Sequence, residues 1–375
     1  MAAIKKALVV GGGVGGLSVA LGLHAKGIGV EIVELNTKWT VYHVGIIVQR
    51  NFLQALGMLG VAEQAMAKGF PYEGIHNFDV QGKYLFPVPP IDSHGSPYPG
   101  NLGLTRPALH EILTGAVRER GIPVRLGVSF SSLRDHGDHV DVEFTDGSAG
   151  EYDLVIGADG VRSAVRKHLY GPDLVPQFTG QGVWRYNLPR PPEFVDMVMY
   201  RGKPGMNAGL VPLDAKTMYV FVVNAEPGNP RFPPESLAAE LRQRLDGYGG
   251  ELARIRDLIT DPALVVYRPL ELLMVPAPWH HGRVVLLGDA AHSGTPHLGQ
   301  GAAMAVEDAV VLADQMDVAA TVEEALEGYN RRRFDRVKTV VEASVLIGQG
   351  EMDPSMKIDF PALFERVFST LVQPL

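Results

Sequence analysis

The segment from Ala7 to Glu34 constrains the fold of this chain more than any other. The apolar run Ala7–Val10 predicts a β-strand, Leu17–Lys26 has a helical pattern, and Val30–Glu34 returns as a second strand. A strand, a glycine-rich turn, a helix and a second strand form a βαβ unit, which needs a parallel sheet. The sequence therefore predicts an α/β fold.

The glycines after the first strand have the spacing of a dinucleotide-binding turn. Gly11 permits the tight turn, Gly13 lets a pyrophosphate approach the backbone, and Gly16 lets helix and strand pack closely. The helix N-terminus offers free N–H groups to phosphates, and Glu34 can accept hydrogen bonds from ribose hydroxyls. By itself the motif does not distinguish NAD from FAD. The cofactor-binding residues predicted here are Gly11, Gly13, Val14, Gly15, Gly16 and Glu34.

A second motif, Asp159-Gly160 followed by Arg162 and Arg166, comes directly after the predicted strand Leu154–Ala158. Ligands in α/β folds bind beyond the carboxyl ends of the strands. We therefore expect Asp159 and Gly160 to lie beside the cofactor.

A third motif, Gly288-Asp289, follows the predicted strand Val284–Gly288. Its acid can hold a sugar-like chain of hydroxyls. The loop continues through Pro296 to the predicted helix Gly299–Gln315, whose positive end would stabilise negative charge in the loop.

The central part of the chain has a different architecture. Between Gly182 and about Tyr267, strand-like segments follow one another without helices, which predicts an antiparallel sheet. A helix over Pro234–Leu245 follows these strands, and the stretch between Gly69 and Asn101 is predicted to be a loop or an edge hairpin. Helices are further predicted over Asn51–Lys68, Arg106–Arg120, Val322–Ile347 and Phe360–Val372.

Composition excludes several classes of function. The 375 residues carry a net charge of −8 and no cysteine, which argues against a nucleic-acid partner and excludes disulfides and thiolate metal sites. No metal site is predicted. The run Arg331-Arg332-Arg333 is expected on a solvated helix face. No apolar run reaches membrane-spanning length and the chain starts without a leader, so we expect a soluble cytoplasmic protein away from membranes.

The three motifs, in this order and spacing, resemble the single-component FAD-dependent aromatic hydroxylases of the para-hydroxybenzoate and salicylate hydroxylase type. The resemblance covers about residues 5–340. It implies a Rossmann-like FAD-binding domain of residues 1–73, 98–177 and 270–320. A mainly antiparallel substrate domain of residues 74–97 and 178–269 interrupts it, and residues 321–375 form C-terminal helices.

The resemblance also implies cofactor contacts. Gly11 to Gly16 and Glu34 would hold the ADP half of FAD, Arg106 would contact the cofactor, and Val128 would pass beside the adenine. Asp159 would shape both the FAD site and the route of the nicotinamide. Asp289 would bind the ribityl chain. The residues expected to line the flavin ring are Pro296, Gly299, Gly301 and Ala302.

The implied reaction is an NAD(P)H-consuming monooxygenation. NADPH or NADH would reduce FAD, O₂ would form a flavin hydroperoxide, and one oxygen atom would pass to a small aromatic substrate, such as a phenol, a hydroxybenzoate or an N-heteroaromatic. Two other functions stay open, a non-catalytic flavoprotein that sequesters an aromatic molecule and a flavin halogenase. No Trp-x-Trp-x-x-Pro segment supports the halogenase.

Four residues are candidates for substrate binding or catalysis. His297, beside Pro296, and His43 could act as a base or a proton relay, or could merely be hydrogen-bonded within their loops. Arg185 and Tyr219 lie on the inserted sheet, where Arg185 could clamp a carboxylate or form a surface or interdomain ion pair. Alternation along the strand places Trp184 and Tyr186 on the face opposite Arg185. The substrate, the choice of NADH or NADPH, and a monomeric or homodimeric state stay open.

Overall fold

The computed structural model describes residues 4–88 and 95–375. Residues 89–94, which belong to the predicted loop or hairpin before Asn101, lie outside this range. The strands are β1 Lys6–Val10, β2 Gly29–Glu34, β3 Gly45–Gln49, β4 Phe70–Tyr72, β5 Ile75–Phe78, β6 Tyr84–Val88, β7 Asn101–Thr105, β8 Val124–Leu126, β9 Phe130–Asp135, β10 Val140–Phe144, β11 Ala149–Tyr152, β12 Leu154–Gly157, β13 Gln177–Pro189, β14 Met197–Lys203, β15 Met206–Pro212, β16 Thr217–Ala225, β17 Val266–Met274, β18 His280–His281, β19 Val284–Leu286 and β20 His292–Ser293. The α-helices are α1 Val14–Ala25, α2 Arg50–Met58, α3 Ala62–Lys68, α4 Arg106–Glu119, α5 Ala164–Tyr170, α6 Leu237–Arg244, α7 Gly250–Arg256, α8 Gly301–Val318, α9 Val322–Met352 and α10 Phe360–Leu371.

The predicted parallel sheet is confirmed. Its strand order is β18-β19-β12-β1-β2-β8, and every pair is parallel except β18 with β19. The carboxyl ends of β1, β12 and β19 therefore meet at one edge of the sheet. These are the strands that precede the three sequence motifs, so the parallel register alone brings the motifs together.

The inserted sheet is mainly antiparallel, as predicted. Its order is β20-β17-β13-β16-β15-β14-β5-β6, and β14 with β5 is its parallel pair. Trp184, Tyr186 and Leu188 pack with helices α6 and α7 on one face, which leaves Arg185 on the opposite face. The strands β5 and β6 form an edge hairpin of this sheet. The exact domain bounds remain a prediction.

A small sheet, in the order β3-β7-β4, packs against the inserted sheet. Close packing depends on two glycines. A Cβ atom on Gly45 would lie 2.4 Å from the Tyr219 ring, and one on Gly103 would lie 1.7 Å from the Pro212 carbonyl oxygen. Because helix α4 begins at Arg106, directly after β7, the packing of the two sheets places Arg106 close to the inserted sheet.

Several predicted helix and strand bounds were wrong. The single helix over Asn51–Lys68 is two helices, α2 and α3, separated at Gly60, whose φ of +74° is left-handed. The helix predicted to begin at Gly299 begins at Gly301, because Gly299 has a φ of +67°. Helix α7 was not predicted. Helix α9 extends five residues beyond the predicted Ile347, to Met352.

The C-terminal helices pack on the cofactor-binding half of the molecule. Tyr329, Val337 and Ala343 of α9 are buried in the same core as β1 and α8. Among the described residues, none of the helices combines the length and apolar character needed to cross a bilayer.

Candidate active site

The first glycine turn and Glu34 form one hydrogen-bonded unit. The Gly12 amide donates to Glu34 Oε2 at 2.7 Å, and the Asn36 amide donates to Oε1 at 2.7 Å. Trp39 Nε1 donates to the Gly12 carbonyl oxygen at 2.8 Å. Each carboxylate oxygen accepts one backbone bond and keeps a lone pair, so Glu34 is oriented to accept ribose hydroxyls.

The start of helix α1 has the shape that a pyrophosphate needs. Gly13 is the exposed N-cap, no side chain caps the helix, and a Cβ atom on Gly13 would meet no atom within 4 Å. The first amides of a helix have no intrahelical acceptor. An open space before free N–H groups is the expected environment of a bound phosphate. Val128 lies beside this unit, where its amide donates to the Glu34 carbonyl oxygen at 3.2 Å.

The carboxylate of Asp159 caps helix α5. It accepts hydrogen bonds from Ser163 Oγ at 2.5 Å and from the amides of Ala164 and Val165 at 2.7 and 3.1 Å. Burial raises the pKa of Asp159, and these hydrogen bonds oppose the rise. These hydrogen bonds close the turn between Asp159 and α5, which contains Gly160 with a φ of +77°.

Arg166 fastens the second motif to the third. Its buried guanidinium donates to the carbonyl oxygens of Val161, at 2.8 Å, and Ala290, at 3.0 Å. Asp289 lies next to Ala290 and is more than a third exposed, with other protein groups around its carboxylate. Burial raises the pKa of Asp289, whereas His292 and Arg106 oppose this.

The loop from Pro296 to Gly301 leads into helix α8 as the sequence predicted. Pro296 starts a 3-10 turn, Gly301 is exposed, and a Cβ atom on Gly301 would meet no atom within 4 Å. Ala302, the next residue, is half-buried. Helix α8 therefore presents an uncapped N-terminus with open space before it, in the position where flavin was expected. Asp289, the open glycines and the two helix N-termini fit the hydroxyls, phosphates and ring of FAD.

Arg185, Tyr219 and Arg106 come together across the packed sheets. Burial and the charge of Arg106 lower the pKa of Arg185 to about 10, so the Arg185 guanidinium is charged at neutral pH. Burial raises the pKa of Tyr219, although Arg185 and Arg106 oppose the rise, so its phenol keeps its proton at neutral pH. In the described part of the chain, the ion pair considered for Arg185 does not form.

The sheet face that carries Arg185 is otherwise apolar at its centre. Val183, Val223, Leu270 and Phe221 form a cluster there. Because Arg185 pairs with Phe221 in the register of β13 and β16, the guanidinium lies at the border of this apolar patch. Val183, Val223 and Leu270 are buried, and Phe221 is the partly exposed member that offers an apolar surface beside the positive charge.

The two histidines are in different surroundings. His43 Nε2 lies 2.9 Å from the Leu264 carbonyl oxygen, and the His43 backbone accepts a bond from Asn187 Nδ2 of β13 at 2.8 Å. His297 has Nδ1 2.9 Å from Thr295 Oγ1 and Nε2 3.1 Å from a Glu351 carboxylate oxygen on α9. Asn187 links His43 to the Arg185 face, whereas His297 packs against the C-terminal helix. Both catalytic roles remain predictions.

Comparison with known proteins agrees with this geometry. A family model described as an FAD binding domain matches residues 5–344. The 2-heptyl-3-hydroxy-4(1H)-quinolone synthase of Pseudomonas aeruginosa is 34% identical, over 91% of this chain and 88% of that protein. The FAD-dependent urate hydroxylase of Klebsiella oxytoca is 31% identical, over 90% and 88%. The crystal structure of Klebsiella pneumoniae HpxO with FAD and uric acid has a TM-score of 0.85 and 26% identity, over 98% of this chain and 92% of that chain.

The chain belongs to the single-component FAD-dependent aromatic hydroxylases. This hydroxylase is therefore an FAD-dependent monooxygenase with NAD(P)H as reductant, as its three motifs predicted. The halogenase and the non-catalytic flavoprotein were the less favoured hypotheses.

Sequence analysis missed a buried ionic network beside the loop of residues 288–301, which we call the candidate flavin loop. Arg333 is fully buried, and it donates to Glu307 Oε2 and Asp308 Oδ1, each at 2.7 Å. The expectation of a solvated helix face was therefore wrong for Arg333. Asp308 Oδ2 accepts the Gly288 amide at 3.0 Å and lies 2.6 Å from His292 Nε2. The signal available in the sequence was the adjacent pair Glu307 and Asp308 within the largely apolar helix Gly301–Val318, which indicates buried acids that need a cation.

A second buried contact ties this network to the candidate flavin loop from the other side. Asn51 Nδ2 donates to Glu307 Oε1 at 2.8 Å and to Gln300 Oε1 at 2.9 Å, and Gln49 Nε2 donates to the Leu298 carbonyl oxygen at 2.9 Å. Burial alone would raise the pKa of Asp308, but His292 and Arg333 hold it below its ordinary value. The candidate flavin loop is thus held by charged groups on α8 and α9.

Proposed function

We propose that this hydroxylase inserts one oxygen atom into a small aromatic or heteroaromatic ring that binds as an anion. The observation that carries the proposal is Arg185, a charged and half-buried guanidinium beside Arg106, with no carboxylate partner among the described residues. A buried cation without a protein counter-ion is costly. A substrate oxyanion, such as a phenolate, an enolate or a carboxylate, would supply the missing charge.

The residues divide the work between cofactor and substrate. Gly11 to Gly16, Glu34, Asp289 and the amides at Gly301 would hold FAD. When bound, FAD would supply the redox chemistry, because it accepts a hydride from NAD(P)H and then reacts with O₂. The apolar cluster of Val183, Val223, Leu270 and Phe221 would contact the substrate ring and keep water away from it.

Arg185 and Tyr219 would orient the substrate by its oxygen. The protonated Tyr219 hydroxyl can donate one hydrogen bond, and Arg185 favours the charged form of a phenol or an enol, so it lowers that group's pKa. The anionic ring is richer in electrons and is the better acceptor of an oxygen atom. His43 is the proposed proton acceptor on this side, because Asn187 ties its backbone to the Arg185 strand. His297 is the second candidate.

The names of the relatives suggest which classes of compound to test first. A quinolone and urate, which two relatives are named for, are planar nitrogen heterocycles that can form an oxyanion. We propose a substrate of this kind, and a monomer or homodimer in the cytoplasm.

The decisive experiment is a substrate panel. FAD-loaded protein is mixed with NADH or NADPH, and oxygen uptake and product mass are recorded with hydroxybenzoates, hydroxypyridines, 4-hydroxyquinolines and urate. We expect one oxyanion-forming compound to stimulate oxidation of the nicotinamide and to gain one oxygen atom. Stimulation only by neutral aromatics would refute the anionic class, and absence of any oxygenated product would refute the reaction assigned to this site.

Arg185 gives the matched test within the chain. Arg185→Met should lower kcat/KM for an anionic substrate about 10- to 100-fold, because a hydrogen bond to a charged group contributes about 1.5–3 kcal/mol. FAD content should be unchanged. Arg331→Met, on the exposed surface of α9, is the control. Equal kcat/KM values for the two variants would contradict the assigned role of Arg185.

A further inference from the structure

The hairpin between β9 and β10 carries a compact group of potential metal ligands outside the active site. His136, His139 and Asp141 each offer one ligand atom, and these atoms lie within 4.8 Å of one another. His136 Nε2 is 3.0 Å from Asp141 Oδ2, and His139 Nε2 is 3.6 Å from Asp141 Oδ1. We call these three residues the hairpin triad.

The distances from the two histidines to the two oxygens of Asp141 are close to the spacing of ligands around a small divalent cation, and small side-chain rotations would bring both imidazoles onto one ion. In a tetrahedral zinc site with bonds of 2.0–2.1 Å, neighbouring ligand atoms are about 3.4 Å apart. The two measured separations, 3.0 and 3.6 Å, lie on either side of this value. The imidazole rings of His136 and His139 are stacked at 4.7 Å between centroids, with an interplanar angle of 15°. The hairpin therefore already places both histidines on one face.

A fourth residue orients one of the ligands. Asp138 Oδ1 lies 2.7 Å from His139 Nδ1, which leaves His139 Nε2 facing Asp141. A carboxylate on the second ring nitrogen is the usual partner of a metal-binding histidine, because it fixes the tautomer and the orientation of the ring. Asp138 and Asp141 also place two negative charges beside the cation.

The turn is anchored to the parallel sheet. Asp135 accepts hydrogen bonds from the amides of Gly137, at 2.8 Å, and Arg283, at 2.7 Å. Arg283 Nε donates to the Gly137 carbonyl oxygen at 2.6 Å. Because Arg283 directly precedes β19, the hairpin is held in place before any ion binds, which lowers the entropy cost of assembling the triad.

We propose that the hairpin triad is a binding site for Zn²⁺ or a similar divalent transition-metal ion. Two imidazoles and one carboxylate would bind the ion and leave one position for water or an external ligand. Imidazole nitrogen favours zinc, copper and nickel over magnesium and calcium. The site is independent of the oxygenation reaction, because its hairpin belongs to the separate sheet β9-β10-β11.

The test is a zinc titration of the FAD-loaded protein after removal of metal with a chelator. Calorimetry should show one equivalent of zinc bound with a micromolar or tighter Kd. His139→Gln should abolish this saturable binding. Asp138→Asn should weaken it about 10- to 100-fold, since the aspartate acts only through the ring of His139. Co²⁺ should give the intense absorption of a four-coordinate ion in the native protein and should not give it in His139→Gln.

His168→Gln is the control, because His168 is exposed on α5 and its ring contacts Phe130 at the end of β9 that is distant from the turn. Circular dichroism will show that each variant keeps its fold. Saturable zinc binding that survives His139→Gln, or that is lost equally in His168→Gln, would overturn the proposal. So would the absence of one-to-one binding by the native protein. Unchanged substrate-stimulated NAD(P)H oxidation in His139→Gln would separate this site from the catalytic one.

Discussion

Burial decides what a single residue does in this hydroxylase. Arg185 and Arg333 are both charged residues for which solvent-facing or surface roles were considered from sequence. Arg185 borders an apolar patch of the inserted sheet, and Arg333 is fully buried and paired with two carboxylates. Strand alternation correctly separated Arg185 from Trp184. It could not tell which of the two faces would meet the cofactor-binding half, because that depends on packing between sheets.

Gly45 is one of the two glycines at which this packing is sensitive to mutation. Gly45→Ala places a methyl group 2.4 Å from the Tyr219 ring and 2.6 Å from the Leu213 side chain. We expect a loss of about 1–3 kcal/mol in unfolding free energy from overpacking, together with a higher KM as Tyr219 moves. Urea denaturation and steady-state kinetics measure the two effects.

Gly115→Ala is the matched control for that substitution. Gly115 lies within helix α4, and a Cβ atom there would meet nothing within 4 Å. Because alanine is the better helix former, we expect a gain of about 0.5–1 kcal/mol. A Gly45→Ala protein as stable as the native one would show that the two sheets can separate without cost.

At the scale of elements, helices α8 and α9 hold the candidate flavin loop in place through buried ion pairs and hydrogen bonds. Glu307 and Asp308 of α8 face Arg333 of α9, and Asp308 reaches the Gly288 amide in the loop. Both helices were predicted from the sequence. Their buried charges were not predicted, since a charged residue in a helix is usually at the surface.

Removal of the central cation should therefore weaken both fold and cofactor site. Arg333→Met removes the arginine that Glu307 and Asp308 share, so Glu307 keeps only Arg336 and Asp308 keeps only His292 as a positively charged or basic partner. Because a broken buried ion pair costs about 3–5 kcal/mol and partners remain, we expect a loss of about 3 kcal/mol in unfolding free energy. Chemical denaturation measures this loss, and bound FAD per protein reports on the loop. The neighbouring exposed Arg332→Met should change stability by no more than about 0.5 kcal/mol. Similar losses of stability and of bound FAD in the two variants would show that Arg333 does not hold the loop in place.

At the scale of the whole molecule, the candidate FAD site combines three segments that are far apart in sequence. Gly11 to Gly16, Asp159 and Asp289 follow β1, β12 and β19, which are neighbours in the parallel sheet. Arg166 joins the last two segments by its bond to Ala290. Cofactor binding should accordingly stabilise the fold as one unit.

Gly13→Val tests this coupling. Gly13 has a φ of −79° that any residue adopts, and a Cβ atom would meet no protein atom within 4 Å. The apoprotein should lose no more than about 1 kcal/mol from the poorer N-cap. FAD at 100 times its Kd stabilises the native protein by about 2.7 kcal/mol, and the variant should lose this gain. Thermal unfolding with and without FAD measures it.

Gly115→Val is the control here, and its response to FAD should equal that of the native protein. FAD-dependent stabilisation that persists in Gly13→Val would mean that the pyrophosphate binds elsewhere.

The sequence by itself determined the parallel sheet, the three motifs at its edge, the inserted antiparallel sheet and hence the family. These are local patterns, since a glycine turn between a strand and a helix has few alternative structures. Only the tertiary structure decided that Arg106, Arg185 and Tyr219 meet, that Arg333 is buried, and that the hairpin triad converges. These contacts arise between elements distant in sequence, where the packing of whole sheets and helices, rather than local periodicity, sets each side chain's neighbours.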